Sequence, residues 1–147
     1  MPAEPATNVL FPLFVSGQLA GSLLGRAIED SGLRAGEFGI LSAIGVWGPL
    51  SPTELAQRTG TPPTTLSDYL SRFVAQGLAI RSRNPDDGRS YLLELTTEGR
   101  RRHRQAGKGL LATNRLIAEK LAVPAEQVRE ALLQLEQALR LAYPTDT

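Results

Sequence analysis

A mainly α fold with a small β-hairpin wing is what this 147-residue sequence predicts, and three observations predict it. Two short helical segments, one opened by a capping signal, meet at Gly60-Thr61. Two short apolar runs, Leu78–Arg83 and Tyr91–Leu95, flank the turn sequence Asn84-Pro85-Asp86-Asp87-Gly88-Arg89-Ser90. Amphipathic helical patterns lie on both sides of this block. Helix, turn, helix and arginine-tipped hairpin in that order spell a winged helix-turn-helix lobe over about residues 35–104, with N- and C-terminal dimerisation helices over about 8–32 and 106–143. The whole of 1–147 reads as a single domain.

Residues 1–7 read as a frayed tail. A first helix is expected from about Phe11 to Asp30, stopped by Gly32. Gly17, Gly21 and Gly25 fall on one stripe of it. Each glycine inside a helix costs about 1 kcal/mol relative to alanine, so three on one face predict a backbone packed close against them, in the core or in a dimer interface. A second helix spans Ala35 to Trp47, with Phe38, Leu41, Ile44 and Gly45 at helical spacing, and Gly48-Pro49 ends it. Ser51-Pro52-Thr53-Glu54 is a capping box with proline at the first helical position, opening a helix that closes at Thr59.

The next helix carries Leu66, Leu70, Phe73 and Val74 as an inward stripe. Thr64, Thr65, Asp68, Ser71 and Arg72 then point the other way. In the hairpin, Pro85 sets φ and Gly88 can take positive φ. That places Arg89 at the tip, with Asp86 or Asp87 close enough to orient its guanidinium. A third long helix opens at Thr96-Thr97-Glu98 and runs through Arg100–Arg104. His103 is expected on its surface, and Gly107 and Gly109 are expected to loosen or bend it. Pro124 opens a final helix whose face Val128, Ala131, Leu132, Leu135, Leu139 and Ala142 is apolar. The two terminal segments carry more apolar surface than one small lobe can cover, which predicts a homodimer and, with it, an inverted-repeat partner sequence.

Composition narrows the function. Net charge is only +1, but residues 61–104 hold eight basic and five acidic groups while residues 1–60 hold three and five. The positive charge therefore sits in the segment that pattern nominates for duplex DNA. The sequence has no cysteine and one histidine, so disulfides, thiolate metal sites and histidine metal clusters are excluded, and no cofactor or metal is expected. No nucleophile elbow, phosphate loop, dinucleotide fingerprint or H-E-x-x-H motif is present, which argues against an enzyme. Residues 9–25 are uncharged, but no basic segment precedes them, and Pro12, Gln18 and the three glycines make a poor span. No membrane role is expected, and the location is expected to be cytoplasmic.

The candidate DNA-binding residues are Thr64, Thr65, Ser67, Asp68, Ser71 and Arg72 on the second helix of the motif, facing the major groove. On the hairpin they are Arg81, Arg83, Asp87, Arg89 and Ser90. Arg89 suits a narrow, A·T-rich minor groove, where negative potential is strongest. Arg81 and Arg83 suit phosphate. The rival reading is a winged-helix adaptor for protein partners that has lost DNA binding. Asp68 and the low net charge favour it; the arginines oppose it.

These segments resemble the multiple-antibiotic-resistance regulator (MarR) family of transcription factors over about residues 9–142. The resemblance rests on Gly32-Leu33-Arg34-Ala35-Gly36-Glu37-Phe38, on Gly48-Pro49-Leu50-Ser51-Pro52-Thr53-Glu54-Leu55-Ala56, and on Gly77-Leu78-Ala79-Ile80-Arg81. Most specific is Asn84-Pro85-Asp86-Asp87-Gly88-Arg89 running through to Leu95-Thr96-Thr97-Glu98-Gly99. The resemblance implies a triangular homodimer that represses, or less often activates, nearby genes. The helix at 62–76 would read the major groove, and Arg89, held by Asp87, would enter the minor groove. It also implies a small-molecule effector, a phenolic or other lipophilic anion bound between the dimer helices and the DNA-binding lobe. Two positions depart from the family pattern: Asp68, where a basic or neutral polar residue is usual, and Pro62-Pro63, which removes two N–H donors from the helix start.

Overall fold

The computed structural model describes residues 7–143, so most of the expected N-terminal tail, residues 1–6, lies outside the described residues. In order the elements are α1 (Leu10–Ala27), a 3-10 turn (Glu29–Ser31), α2 (Ala35–Trp47), α3 (Pro52–Thr59), α4 (Pro63–Ala75), β1 (Ala79–Arg83), β2 (Tyr91–Leu95), α5 (Thr97–Lys120) and α6 (Ala125–Ala142). The chain forms two compact units, one ending at Leu110 and the other beginning at Leu111.

In the first unit, α1 is shorter than its hydrophobic pattern predicts. Its regular turns stop at Ala27, and the chain tightens into the 3-10 turn before Gly32 takes the left-handed conformation at φ 72°. Ser31 stabilises this stop by donating its hydroxyl to the Ile28 carbonyl at 2.5 Å while accepting the Leu33 N–H at 3.2 Å. α2 begins and ends where the sequence places it, and buries Phe38, Ile40, Leu41 and Ile44. The capping box is also realised. Ser51 Oγ accepts the Glu54 N–H at 3.2 Å, and Glu54 reaches back to the Ser51 N–H at 2.9 Å. The Ser51 N–H first, and second the Ser51 hydroxyl, which donates to the same carboxylate oxygen at 3.0 Å, hold the Glu54 carboxyl below its ordinary pKa.

Leu55, Leu66, Leu70, Phe73, Leu78 and Leu93 are fully buried and bind α3, α4 and the hairpin into one core with α2. β1 and β2 pair antiparallel, Ala79 opposite Leu95 and Arg83 opposite Tyr91. A third partner joins them that the sequence did not announce: Leu50 bridges to Leu93 through two backbone bonds of 3.2 and 2.8 Å. One residue has no alternation from which to read a strand.

α5 starts on a second cap. Thr96 Oγ1 accepts the Gly99 N–H at 3.0 Å and donates to the Gly77 carbonyl at 2.5 Å, tying the helix start to the end of α4. Gly107 and Gly109 do not break α5, which is continuous. Gly109 instead lets the backbones approach, since a Cβ there would collide with the Ala27 carbonyl oxygen. The stripe Gly17, Gly21, Gly25 behaves differently: a Cβ at any of the three would meet nothing within 4 Å among the described residues. The expected close crossing over that stripe is therefore not made among the described residues.

His103 corrects a further expectation. It is not a free surface residue: its ring stacks on Phe38 with centroids 5.4 Å apart, and Nε2 lies 2.9 Å from Ser42 Oγ. Burial first, and Arg104 second, hold its imidazole below the ordinary pKa of 6.5. The unfolded chain therefore takes up this proton at a higher pH than the folded chain. The contribution is intact above the unfolded value and is lost as pH falls through the lowered folded value. His103→Gln should make stability fall less steeply as pH drops through and below the ordinary imidazole value of 6.5. Urea melts across that range check it, and parallel slopes for the two proteins would contradict it.

The second unit comprises the rest of α5 and α6. Proline caps α6 at its N-terminus, and no residue of α6 is buried. Leu132, Leu133, Leu139 and Leu141 are all exposed, as are Leu111, Leu116 and Ile117 on α5. α1, in the first unit, likewise buries none of its residues, leaving Phe11, Phe14 and Leu19 in solvent. No helix among the described residues is long and apolar enough to cross a membrane.

Candidate nucleic-acid interface

The helix-turn-helix is built by α3, Gly60 and α4. Gly60 sits at φ 67°, a left-handed conformation that glycine adopts without a Cβ clash. Thr59 closes the turn, donating to the Leu55 carbonyl at 2.6 Å and lying 2.9 Å from the Thr61 hydroxyl. Pro62 precedes the first helical residue, Pro63, so the helix entry is stiff and poor in N–H donors. Because Leu66, Leu70 and Phe73 are buried, the opposite face turns outward. Thr64, Ser67, Asp68 and Ser71 are exposed there, and Thr65 is half-buried.

Arg72 is the one predicted residue of α4 that does not stand free. Its Nη2 lies 2.8 Å from Glu37 Oε1, and its guanidinium sits 5.7 Å from the Tyr69 ring centroid. α4 contains no other cation, so its outward face offers hydroxyls and one carboxylate.

The wing tip is organised by side chains that accept backbone N–H groups. Asn84 Oδ1 takes the Asp86 N–H and Asp87 Oδ1 takes the Arg89 N–H, both at 3.0 Å. The Ser90 N–H then donates to the Asp87 carbonyl at 3.1 Å. Asp87 thus supports Arg89 through the backbone; the expected carboxylate–guanidinium contact is not how the tip is held. An Asx turn of this kind fixes the direction of the tip and leaves the Arg89 side chain exposed. Ser90 is half-buried, its hydroxyl donating to the Tyr91 carbonyl at 3.4 Å.

Arg81 and Arg83 alternate with Ile80 and Ser82, so they share a sheet face with the buried Ala79. Arg81 stacks over the Tyr91 ring, 4.6 Å from its centroid, which restrains a long side chain before any partner arrives. The arginine run at the start of α5 is mostly occupied. Arg100 donates to the Leu95 carbonyl at 2.6 Å, and Arg101 and Arg102 lie 2.6 and 3.6 Å from the Glu98 carboxylate.

Sequence reading missed Arg34 and Glu37 at the start of α2, where the Glu37 carboxylate joins α2 to α4 through Arg72. The Arg34 N–H bond to Glu37 Oε2, 3.0 Å long, is a local capping pattern that could have been read. The reach of Glu37 across to Arg72 has no sequence signal.

A capped short helix, a glycine turn, a helix with a hydroxyl-rich outer face and an arginine-tipped hairpin together define a winged helix-turn-helix protein. A sequence model of the MarR family matches residues 31–90. The chain is 37% identical over 100 residues to the HTH-type transcriptional repressor YetL of Bacillus subtilis, a match covering 67% of this chain and 60% of that repressor. It therefore spans about 60% of the length of that relative. Among solved structures it is similar to the transcriptional regulator MOSR of M. tuberculosis in complex with DNA. That likeness has a TM-score of 0.78 and 25% identity, and covers 91% of this chain and 97% of the other. It is similar as well to the PcaV transcriptional regulator of Streptomyces coelicolor in complex with its natural ligand, with a TM-score of 0.77, 25% identity, and 97% and 100% covered. Across its helix-turn-helix and wing the chain is therefore similar to the MarR family.

Proposed function

We propose that this protein is a homodimeric, sequence-specific DNA-binding transcriptional regulator, acting as a repressor on an inverted-repeat operator. The observation that carries the reading is one unit holding both a hydroxyl-rich outer face on α4 and a wing whose Asx turn presents Arg89 outward. α4 enters the major groove with Thr64, Thr65, Ser67, Asp68 and Ser71 toward the bases. Arg89 enters the minor groove, and Arg81 and Arg83 meet phosphate. The exposed apolar residues of α1 and α6 supply the surface for a second copy. A lipophilic or phenolic effector releases the operator; that a small molecule acts here at all is supported by the PcaV neighbour, which was solved with its natural ligand. The repressor sense is supported by the relationship to YetL.

The test is binding to the duplex immediately upstream of the protein's own gene, beside a scrambled duplex of equal length, over a salt series. Preferential binding by a dimer that weakens as salt rises supports the reading. Absence of binding to either duplex at low salt overturns it.

One observation favours the adaptor instead. The recognition helix exposes Asp68, and its single arginine is paired with Glu37. On the regulator reading, Asp68 limits nonspecific attraction and accepts a hydrogen bond from a cytosine amino group. Asp68→Ala should then tighten binding to scrambled duplex about fivefold, the effect of removing about 1 kcal/mol of repulsion near a phosphate. Filter binding to random duplex measures this, and equal or weaker binding would count against the role.

A further inference from the structure

The first turn of α2 and the last turns of α4 meet around one buried carboxylate. The Glu37 side chain is only 8% exposed, yet it gathers three donors. The Arg34 N–H lies at 3.0 Å, Arg34 Nη2 at 3.3 Å and Arg72 Nη2 at 2.8 Å. The joint is tight, because a Cβ at Gly36 would overlap the Tyr69 hydroxyl. Two guanidiniums share one carboxylate, which leaves the cluster with a net positive charge. Both arginines still reach solvent, their side chains 66% and 41% exposed. They rim a shallow concavity of about 570 Å³ that also includes Thr65, Asp68 and Ser71 from the outer face of α4.

We propose that Arg34 and Arg72 form a two-arginine clamp for one backbone phosphate of the bound duplex, and that Glu37 is the positioning residue that aims both guanidiniums. The inference rests on the reading that α4 lies in the major groove, since the rim of the concavity then faces the sugar–phosphate strand bordering that groove. Guanidinium forks match phosphate oxygens, and a side chain already fixed by a carboxylate loses less freedom on binding. Asp68 lines the same concavity and keeps the anion at the arginine rim.

The experiment is a salt titration of binding to the upstream duplex and to a scrambled duplex, with wild type, Arg34→Gln and Glu37→Gln. Arg34→Gln should weaken both by a similar factor, about tenfold, and make the salt dependence shallower by about 0.9 in log–log slope. Glu37→Gln adds one positive charge, so charge alone would tighten binding. The clamp requires it to weaken instead, several-fold on both duplexes. An unchanged slope for Arg34→Gln, or tighter binding by Glu37→Gln, overturns the clamp. Thermal melts accompany the series; if Glu37→Gln fails to fold, the exposed Arg34 still decides the question. A wild type that binds no duplex overturns the regulator reading and the clamp together. A wild type that binds while Arg34→Gln keeps its slope overturns the clamp alone.

Discussion

Arg89→Ala should weaken operator binding by about 1–3 kcal/mol, roughly five- to 150-fold, without lowering the melting temperature. The expectation follows from how the tip is built. Asp87 holds the backbone N–H of residue 89, a bond that alanine keeps, so the turn should survive while the guanidinium is lost. The side chain is exposed and the substitution opens no cavity. A minor-groove arginine contributes by its charge in a narrow, strongly negative groove, so the loss should be largest on A·T-rich flanks. Fluorescence anisotropy on operator duplexes with A·T-rich and G·C-rich flanks measures it. If Arg89→Ala bound as the wild type does, the wing would not read DNA, and the adaptor reading would take precedence. Asp87→Ala offers a comparison, since it keeps the arginine and loosens only its support. A loss of affinity smaller than that of Arg89→Ala is expected.

A second large effect is expected where α5 leaves the wing. At Gly99 an added Cβ would collide with the Leu78 carbonyl oxygen, and the obstacle is backbone that cannot rotate aside. That carbonyl already accepts the Thr96 N–H at 3.0 Å, and Leu78 is fully buried. Gly99→Ala must therefore push α5 away from the loop after α4. The cost should be about 3 kcal/mol, the upper part of the range for overpacking, or roughly 10 °C in melting temperature. Gly107→Ala is the matched control. It lies in the same helix with nothing within 4 Å of a new Cβ, and should gain up to about 1 kcal/mol from helix propensity alone. Thermal unfolding of the two variants separates steric from propensity effects. A Gly99→Ala protein as stable as the wild type would mean that the junction yields more readily than its packing indicates.

The adaptor and regulator readings divide on the same few side chains. The low net charge that favours an adaptor is real, but its distribution matters more than its sum. Arg81 is stacked on Tyr91, Arg72 is held by Glu37, and Arg89 projects from an organised turn. Arginines restrained in this way lose less freedom on binding than mobile ones, so a small number can suffice.

Much of the site was legible from sequence because its determinants are local. Ser51 and Glu54 are three residues apart, Gly60 punctuates two helices, and Asn84 to Gly88 is turn chemistry with the arginine immediately after it. Helical spacing alone separated Leu66, Leu70, Phe73 and Val74 from Thr64, Thr65, Asp68, Ser71 and Arg72; burial agrees for Leu66, Leu70, Phe73, Thr64, Asp68 and Ser71, while Val74, Thr65 and Arg72 are half-buried. The same reasoning failed wherever a residue's role depends on an element distant in the chain. His103 looked like one more exposed member of a charged run, yet it stacks on Phe38 and meets Ser42, 61 residues away. Arg72 looked free for DNA, but its partner Glu37 is on α2. Leu50 became a sheet partner only because Leu93 was brought beside it. The glycines divide the same way: Gly32 and Gly60 announce turns, whereas Gly99 and Gly109 are required by carbonyls of Leu78 and Ala27 that no local pattern reveals. By itself the sequence determined the order of elements, their caps and their inward faces, since these follow from backbone stereochemistry and hydrophobic periodicity within a few turns. Only the tertiary structure decided which polar side chains are already engaged. Pairing across the fold depends on which surfaces the packed helices bring within hydrogen-bonding reach.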